Sequence, residues 1–191
     1  MPYVTYIKEG KTRGRVTVGV SDREVLKGYS LSAPTYSAIG SPIRGEEISG
    51  RDFELILKED EEYRCIKKAL SLLSYADNNR RNLYSKLCRA GFSREAAASA
   101  VEECLSLGYI NERRQLARLI LREANAALKG ETYVRAKLVQ RGYLSSDIDF
   151  VLSELKGSGE IDFDSNFRCL VEKHGASSDE EIRKLKYKYG F

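Results

Sequence analysis

The stretch that decides the fold of this chain is Lys86-Leu87-Cys88-Arg89-Ala90-Gly91-Phe92, because its pattern of basic, apolar, glycine and aromatic residues occurs twice. It recurs 51 residues later as Lys137-Leu138-Val139-Gln140-Arg141-Gly142-Tyr143. A second signal keeps the same offset, since Gly108-Tyr109-Ile110-Asn111 is matched by Gly159-Glu160-Ile161-Asp162. A fixed period of this length indicates tandem structural repeats, in which each unit buries its apolar face against its neighbours.

Apolar positions elsewhere in the two copies fall in the same register. The pairs are Leu83 and Val134, Ala97 and Ile148, Val101 and Leu152, Cys104 and Leu155, Leu116 and Phe167, and Ile120 and Val171. A third, partial copy runs from Ile182 to Gly190-Phe191 at a shorter offset of 48 residues and lacks the segment that would follow. We expect either a truncated last repeat or a chain that has been cut there.

Each copy predicts three helices. In the first copy, Ile66, Ala69, Leu70 and Leu73 have the i, i+3, i+4, i+7 spacing of one helical face. A short second helix ends at Gly91 as a left-handed cap, and Ser93 caps the third helix, which ends at Gly108. Short, one-sided helices complete their core only by stacking on one another.

The first sixty residues follow another pattern. Residues 4–7 and 15–20 alternate with period two and predict a β-hairpin, whereas residues 32–50 are rich in Pro, Gly and Ser and predict a loop. Ser49 is expected to cap a helix that continues through the acidic run 59–62, interpreted as a solvated face, into the first repeat.

The predicted fold class is therefore mainly α: tandem three-helix repeats in a curved, elongated array with a small N-terminal β-hairpin region. We expect four parts. They are the hairpin and loop region 1–48, the leading helix and first repeat 49–110, the second repeat 111–159, and the truncated third repeat 160–191.

The sequence shows no candidate catalytic residues, cofactor motif or metal-ligand set. His174 is expected at the surface, and Asp162 and Asp164 are expected to stabilise a helix start rather than bind a metal. All four cysteines lie in apolar helical patterns without a C-x-x-C pair, which predicts buried, reduced thiols. No signal peptide or membrane-length apolar run is seen, so a cytoplasmic location is expected.

Positive charge is concentrated in the middle of the chain. Residues 1–79 are balanced, residues 80–141 carry 13 basic and 6 acidic side chains, and residues 142–191 carry 7 basic and 10 acidic ones. This distribution indicates an anionic partner for the middle segment, although a merely solvated basic surface has the same pattern. The candidate basic surface comprises Arg80, Arg81, Lys86, Arg89, Arg113, Arg114, Arg118, Arg122, Arg135, Lys137 and Arg141.

Two further features bear on this surface. Arg114, Arg118 and Arg122 have i, i+4, i+8 spacing, which predicts a single cationic stripe on one helix. Four tyrosines lie near these basic residues in the sequence, and two of them, Tyr109 and Tyr143, are expected to be half-buried packing residues. The four tyrosines of this region are Tyr84, Tyr109, Tyr133 and Tyr143.

In the order and spacing of these motifs the chain resembles the RecX family of bacterial regulatory proteins, over roughly residues 47–155. The matching stretches are Ala69-Leu70-Ser71-Leu72-Leu73-Ser74-Tyr75, Leu83-Tyr84-Ser85-Lys86-Leu87, Gly91-Phe92, Leu107-Gly108-Tyr109-Ile110-Asn111-Glu112, Val134-Arg135-Ala136-Lys137-Leu138 and Arg141-Gly142-Tyr143. The resemblance implies a non-enzymatic protein that binds RecA, lodges in the groove of the RecA–DNA filament and limits its ATPase and strand-exchange activity. It also implies some affinity for DNA.

Two other functions remain open. A free-standing DNA-binding protein with helix-turn-helix-like repeats would contact single- or double-stranded DNA directly. A helical adaptor for another protein would show little dependence on salt, because it makes no phosphate contacts. We expect a monomer without cofactors and without a membrane partner.

Overall fold

The computed structural model describes residues 1–22 and 25–191, and it is predominantly helical with a small N-terminal sheet. The strands are β1 (Tyr3–Glu9), β2 (Arg15–Asp22) and β3 (Val25–Ser32). The helices are α1 (Ala33–Ala38), α2 (Gly50–Tyr75), α3 (Arg80–Arg89), α4 (Arg94–Ser106), α5 (Glu112–Leu121), α6 (Glu131–Gln140), α7 (Ser145–Gly157), α8 (Phe163–His174) and α9 (Asp179–Tyr189). A short π-helical segment, Arg122–Ala126, follows α5 directly. The predicted fold class, mainly α with an N-terminal β region, is confirmed.

The N-terminal region is a three-stranded antiparallel sheet in the order β1-β2-β3, not the two-stranded hairpin expected from the sequence. The third strand has only two buried apolar side chains, Tyr29 and Leu31, so its period-two signal is short. The predicted loop is also partly wrong, because it contains α1. The side-chain oxygen of Ser32 accepts a hydrogen bond from the Thr35 amide, and Pro34 lies in the first turn, where a missing N–H costs nothing.

The acidic run on α2 is not a solvated face. Glu59 accepts hydrogen bonds from the Ser32 amide and Arg15, each at 3.0 Å, and the buried Asp60 accepts one from the Ser30 amide at 2.9 Å. These carboxylates satisfy main-chain donors of β3, and a buried donor without a partner would be costly. The run therefore attaches the sheet to the helix. The sequence of the acidic run does not indicate this role, because acidic residues in a helix are usually solvated.

The repeat predicted from the sequence is visible in the helix boundaries. Helix α3 is matched by α6, α4 by α7, and the start of α5 by the start of α8, each at an offset of 51 residues. Gly91 and Gly142 follow the second helix of their repeats with φ of 91° and 89°, a left-handed conformation that favours glycine. Each of the first two repeats contains the three expected helices.

The chain forms two compact units. We define the N-terminal unit as Met1–Tyr75 with Tyr84–Ser106, and the C-terminal unit as Ala76–Leu83 with Leu107–Phe191. The sheet core of the N-terminal unit consists of Val4, Val18, Val20, Tyr29, Leu31, Ile48 and Ile56. The core of the C-terminal unit consists of Leu116, Ile120, Ala124, Val134, Leu138, Ile148, Val151, Leu152, Leu155 and Ile161. The four-part division expected from the sequence stays a prediction.

The cysteines are all unpaired, but they are not all buried. Cys65 and Cys104 are buried, Cys88 is half-buried, and Cys169 on α8 is exposed. The expectation of four buried thiols is therefore wrong for Cys169. This position corresponds to Arg118 in the repeat register, which is also exposed.

Candidate functional site

The eleven basic residues of the predicted surface fall into groups that differ in ion pairing. Lys86 and Arg89 belong to the N-terminal unit, and the other nine belong to the C-terminal unit. Carboxylate partners within residues 1–22 and 25–191 are seen for six of the eleven. The pairs are Arg80 with Glu112 and Asp147, Arg113 with Glu154, Arg118 with Asp77, Arg122 with Glu123, Arg135 with Glu131 and Asp149, and Lys137 with Glu123. Much of the positive charge counted in the sequence is therefore neutralised locally.

Glu123 is the most buried of these partners. Its carboxylate accepts a hydrogen bond from Lys137 Nζ at 2.7 Å and one from Arg122 Nη2 at 3.0 Å. Burial acts to raise the pKa of Glu123, but the hydrogen bonds and charges of Lys137 and Arg122 outweigh burial, and the pKa lies below its usual value. Arg122 and Lys137 thus hold a buried charge within the C-terminal unit, so replacing either one affects folding as well as binding.

Glu131 forms a similar centre at the start of α6. It accepts hydrogen bonds from Arg135, at 2.7 Å, and from Lys156. Burial acts to raise its pKa, but the two cations outweigh that effect and the pKa is lowered. Arg135 is therefore committed to an intramolecular pair.

Four arginines of the predicted surface are exposed and form no ion pair within the part of the chain that the structure describes. They are Arg81, Arg89, Arg114 and Arg141. Their guanidinium groups keep donors available for phosphate or carboxylate oxygens of a partner.

The three arginines of the stripe predicted from their spacing, Arg114, Arg118 and Arg122, differ in ion pairing. Arg114 forms no ion pair with a residue of the described ranges, whereas Arg118 pairs with Asp77 and Arg122 with the buried Glu123. All three are exposed, and the Arg122 amide still donates to the Arg118 carbonyl, so the i, i+4 spacing continues as far as Arg122. Sequence analysis did not identify Asp77 as the partner of Arg118, because Asp77 lies 41 residues earlier in the chain and no local pattern indicates the contact.

Arg114 and Arg118 line a common cleft of about 330 Å³ in the C-terminal unit. Its other lining residues are Asp77, Gly108, Tyr109, Asn111 and Gln115. The side chain of Gln115 is buried. It donates from Nε2 to the Asn78 carbonyl at 3.3 Å, and its Oε1 accepts from the Tyr143 hydroxyl at 3.0 Å. The floor of the cleft is therefore fixed by hydrogen bonds, and its rim carries cations.

The two tyrosines expected to be packing residues behave differently. Tyr143 is half-buried and hydrogen-bonded to Gln115, as predicted. Tyr109 is 56% exposed and lines the cleft, so the expectation of half-buried packing is wrong for this residue. The preceding Gly108 has φ of 74°, and this turn at the end of α4 holds Tyr109 outside the core.

Among residues 1–22 and 25–191 no cluster of three or more metal-ligating side chains is present. Asp162 caps α8 by accepting hydrogen bonds from the amides of Asp164 and Ser165, as expected, and His174 is exposed. In the same described part of the chain, no helix has the length and apolar character needed to cross a bilayer.

Comparison with known proteins identifies relatives that are named regulatory protein RecX. The chain is 27% identical over 184 residues to a regulatory protein RecX of Lactobacillus gasseri, covering 96% of this chain and 66% of that protein. It is 28% identical over 155 residues to RecX of Lactobacillus johnsonii, covering 81% and 56%. It thus spans less than two thirds of the length of these relatives. RecX of Clostridioides difficile is 23% identical over 188 residues, covering 98% and 85%.

Solved structures show the same fold. A crystal structure of a regulatory protein RecX has a TM-score of 0.71 at 17% identity and covers 100% of this chain and 95% of that one. RecX from Lactobacillus salivarius has a TM-score of 0.56 at 17% identity and covers 68% and 86%. No family model matches the chain.

Proposed function

We propose that this chain, which belongs to the RecX family of regulatory proteins, binds the filament of a RecA-type recombinase on DNA and limits its ATPase and strand-exchange activity. The action is stoichiometric: the protein occupies the filament and catalyses no reaction. Recombination and DNA repair are the processes it would affect, and a recombinase partner implies action in the cytoplasm.

The observation that supports this proposal is the set of exposed arginines without carboxylate partners. Three of the four, Arg81, Arg114 and Arg141, lie in the C-terminal unit on α3, on α5 and after α6. A filament that contains DNA presents phosphates as well as acidic protein groups, and exposed guanidinium groups bind both. The ion-paired arginines nearby need no external anion, so they contribute less.

The direct test is the steady-state ATPase of the cognate recombinase on single-stranded DNA, titrated with this protein. The proposal predicts a dose-dependent loss of ATPase that saturates at a fixed ratio of protein to recombinase. A recombinase whose ATPase and strand exchange are unaffected by excess protein would refute the proposal.

The surface is tested by reversing the three unpaired arginines together, as Arg81→Glu, Arg114→Glu and Arg141→Glu. We expect at least a tenfold rise in the concentration needed for half-inhibition, because several charge-assisted contacts are lost at roughly 1 kcal/mol or more each. The matched control is Arg168→Glu, Lys173→Glu and Arg183→Glu, which makes the same charge change on exposed residues of the same unit. Equal losses in both variants would mean that only net charge matters.

The two other functions give different results in the same set of measurements. A free-standing DNA-binding protein would bind naked DNA more tightly than recombinase-coated DNA. A helical adaptor would bind with little dependence on salt, because it does not release counterions from phosphates. Either result would overturn the proposal.

A further inference from the structure

We infer that the cleft lined by Tyr109, Arg114 and Arg118 binds one nucleotide unit of single-stranded DNA, with the phosphate on the arginines and the base against the tyrosine ring. The inference deepens the proposed function and rests on it in taking the DNA of the filament as the ligand. We call this site the Tyr109 cleft.

The components of such a site are present in one place. Arg114 is exposed and forms no ion pair with the residues that the structure describes, and Arg118 lies one helical turn further along α5. Tyr109 presents an exposed ring on the same cleft. Sites for single-stranded nucleic acid combine cations that contact the backbone with aromatic rings on which bases stack. The volume, about 330 Å³, is within the range of small-ligand sites.

The repeat provides an internal comparison, because the equivalent positions in the next repeat carry neither arginine nor tyrosine. At the 51-residue offset, Tyr109 becomes Glu160, Arg114 becomes Ser165 and Arg118 becomes Cys169. A different cleft lies near this junction, lined by Glu131, Lys156, Gly159, Ile161, Asp162, Phe163 and Asp164. Only Gly159 and Asp162 correspond to lining residues of the Tyr109 cleft. The turn at this junction thus recurs without the tyrosine and the two arginines of the Tyr109 cleft.

In contrast, the residues that form the turn and the packing at this junction are similar in both repeats. Gly108 and Gly159 have φ of 74° and 76°, and Ile110 and Ile161 are both buried. Gln115 and Asn166, at the same repeat position, each donate a side-chain hydrogen bond to a main-chain carbonyl. Because the scaffold is repeated and the basic and aromatic side chains are not, packing does not account for those side chains. A ligand of the Tyr109 cleft does.

The carboxylate of Asp77 would compete with a DNA phosphate for Arg118. Its carboxylate pairs with Arg118 on the rim of the cleft, and both side chains are more than half exposed. An exposed pair of this kind contributes little to stability, so a phosphate can displace the carboxylate. Removing the carboxylate is therefore expected to strengthen DNA binding, a gain that a purely structural role of the pair does not predict.

The experiment measures the anisotropy of a labelled oligothymidylate of about ten nucleotides titrated with the full chain, without recombinase, over a range of salt concentrations. For single strands the logarithm of affinity changes by about 0.7 per phosphate contact for each tenfold change in salt. At 0.1 M salt, Arg114→Ala is expected to weaken binding about fivefold and to reduce the slope by about 0.7. Asp77→Asn is expected to tighten binding about fivefold, and Tyr109→Ala to weaken it at least about fivefold through lost stacking.

Matched controls separate the cleft from general electrostatics. Glu154→Gln makes the same charge change as Asp77→Asn and also frees an arginine of α5, Arg113, which does not line the cleft. Tyr187→Ala removes a tyrosine that is 92% exposed elsewhere in the same unit. Both controls are expected to change affinity less than about twofold. Thermal melting of every variant verifies that the fold is kept.

The outcomes distinguish this inference from the proposed function. Equal gains from Asp77→Asn and Glu154→Gln, or unchanged binding by folded Arg114→Ala and Tyr109→Ala, would overturn the inference even if the chain inhibits the recombinase. Oligonucleotide binding that follows the expected pattern in a chain that leaves the recombinase ATPase unchanged would support the cleft and refute the proposed function.

Discussion

Replacing Gly130 by alanine is expected to detach the end of the chain from helix α6. A Cβ atom at Gly130 would lie 2.2 Å from the Gly190 carbonyl oxygen and 2.5 Å from the Phe191 amide nitrogen. Both atoms belong to the main chain, so no side-chain rotation relieves the overlap. Gly130 itself has an ordinary φ of −73°, which alanine adopts without strain. The clash with the C-terminal turn is therefore the main cost.

The magnitude follows from the contacts that must break. The Gly130 amide donates to the Tyr189 carbonyl at 2.8 Å, and the Thr132 amide donates to the Gly190 carbonyl at 3.2 Å. Each bond contributes about 1 kcal/mol net. The Phe191 ring packs against Phe167 with centroids 4.9 Å apart, which adds roughly 0.5–1.5 kcal/mol. These contacts account for about 3 kcal/mol, and alanine at an N-cap costs about 1 kcal/mol more, so we expect Gly130→Ala to lower the free energy of unfolding by about 4 kcal/mol.

Urea denaturation of a double-mutant cycle, which combines Gly130→Ala with removal of the last two residues, tests whether the clash with the C-terminal turn is the cause. In a chain that lacks Gly190 and Phe191, the same substitution should cost only about 1 kcal/mol, the ordinary penalty of alanine at an N-cap. Gly157→Ala is the control, since nothing lies within 4 Å of its added Cβ at the end of α7 and alanine favours the helix by up to about 1 kcal/mol. An equal cost of Gly130→Ala in both chain lengths would refute the reasoning.

Two further predictions concern titration and thiol access. Because the pKa of Glu123 is lowered in the folded chain, its contribution to stability is present above the carboxyl pKa of the unfolded chain and is lost as pH falls through the folded value. Glu123→Gln should therefore lower stability at neutral pH and flatten its loss in acid, as measured by denaturation at several pH values; an unchanged acid slope would contradict this assignment. A maleimide should label Cys169 in the folded protein but label Cys65 and Cys104 only on unfolding, because both are buried and burial raises the pKa of Cys65 to about 11 and that of Cys104 in the same direction. Mass spectrometry identifies the labelled sites, and rapid labelling of Cys65 would contradict the burial described.

The repeat shows how far sequence reasoning reached. Helix boundaries recur at the offset found in the sequence, and Leu87 and Leu138 are buried as their register predicts. Helical periodicity, caps and left-handed glycines are properties of residues a few positions apart, so they can be read from the chain directly. The third strand was missed because an edge strand with only two buried apolar side chains has a weak alternating pattern.

The candidate site shows where that reasoning stopped. Eleven basic residues look equivalent in the sequence, yet six are held by carboxylates and only some are open to a partner. The acidic run of α2 was interpreted as solvated, although Asp60 is buried against a strand amide. For Arg113, Arg118 and Asp60 the partner is distant in the chain, whereas Arg122 and Arg135 also have carboxylate partners close in sequence.

The sequence by itself determined the helical repeat, its period and the turns that end each helix, because those depend on neighbours along the chain. Tertiary structure alone decided which charges remain available and which aromatic ring reaches the surface. Arg118 and Asp77 are 41 residues apart, as are Arg113 and Glu154, and such pairs form only when packing has brought distant segments together. An i, i+4 pair such as Glu131 and Arg135 can be read from the sequence, but the availability of Arg113 and Arg118 depends on partners that only the fold brings close.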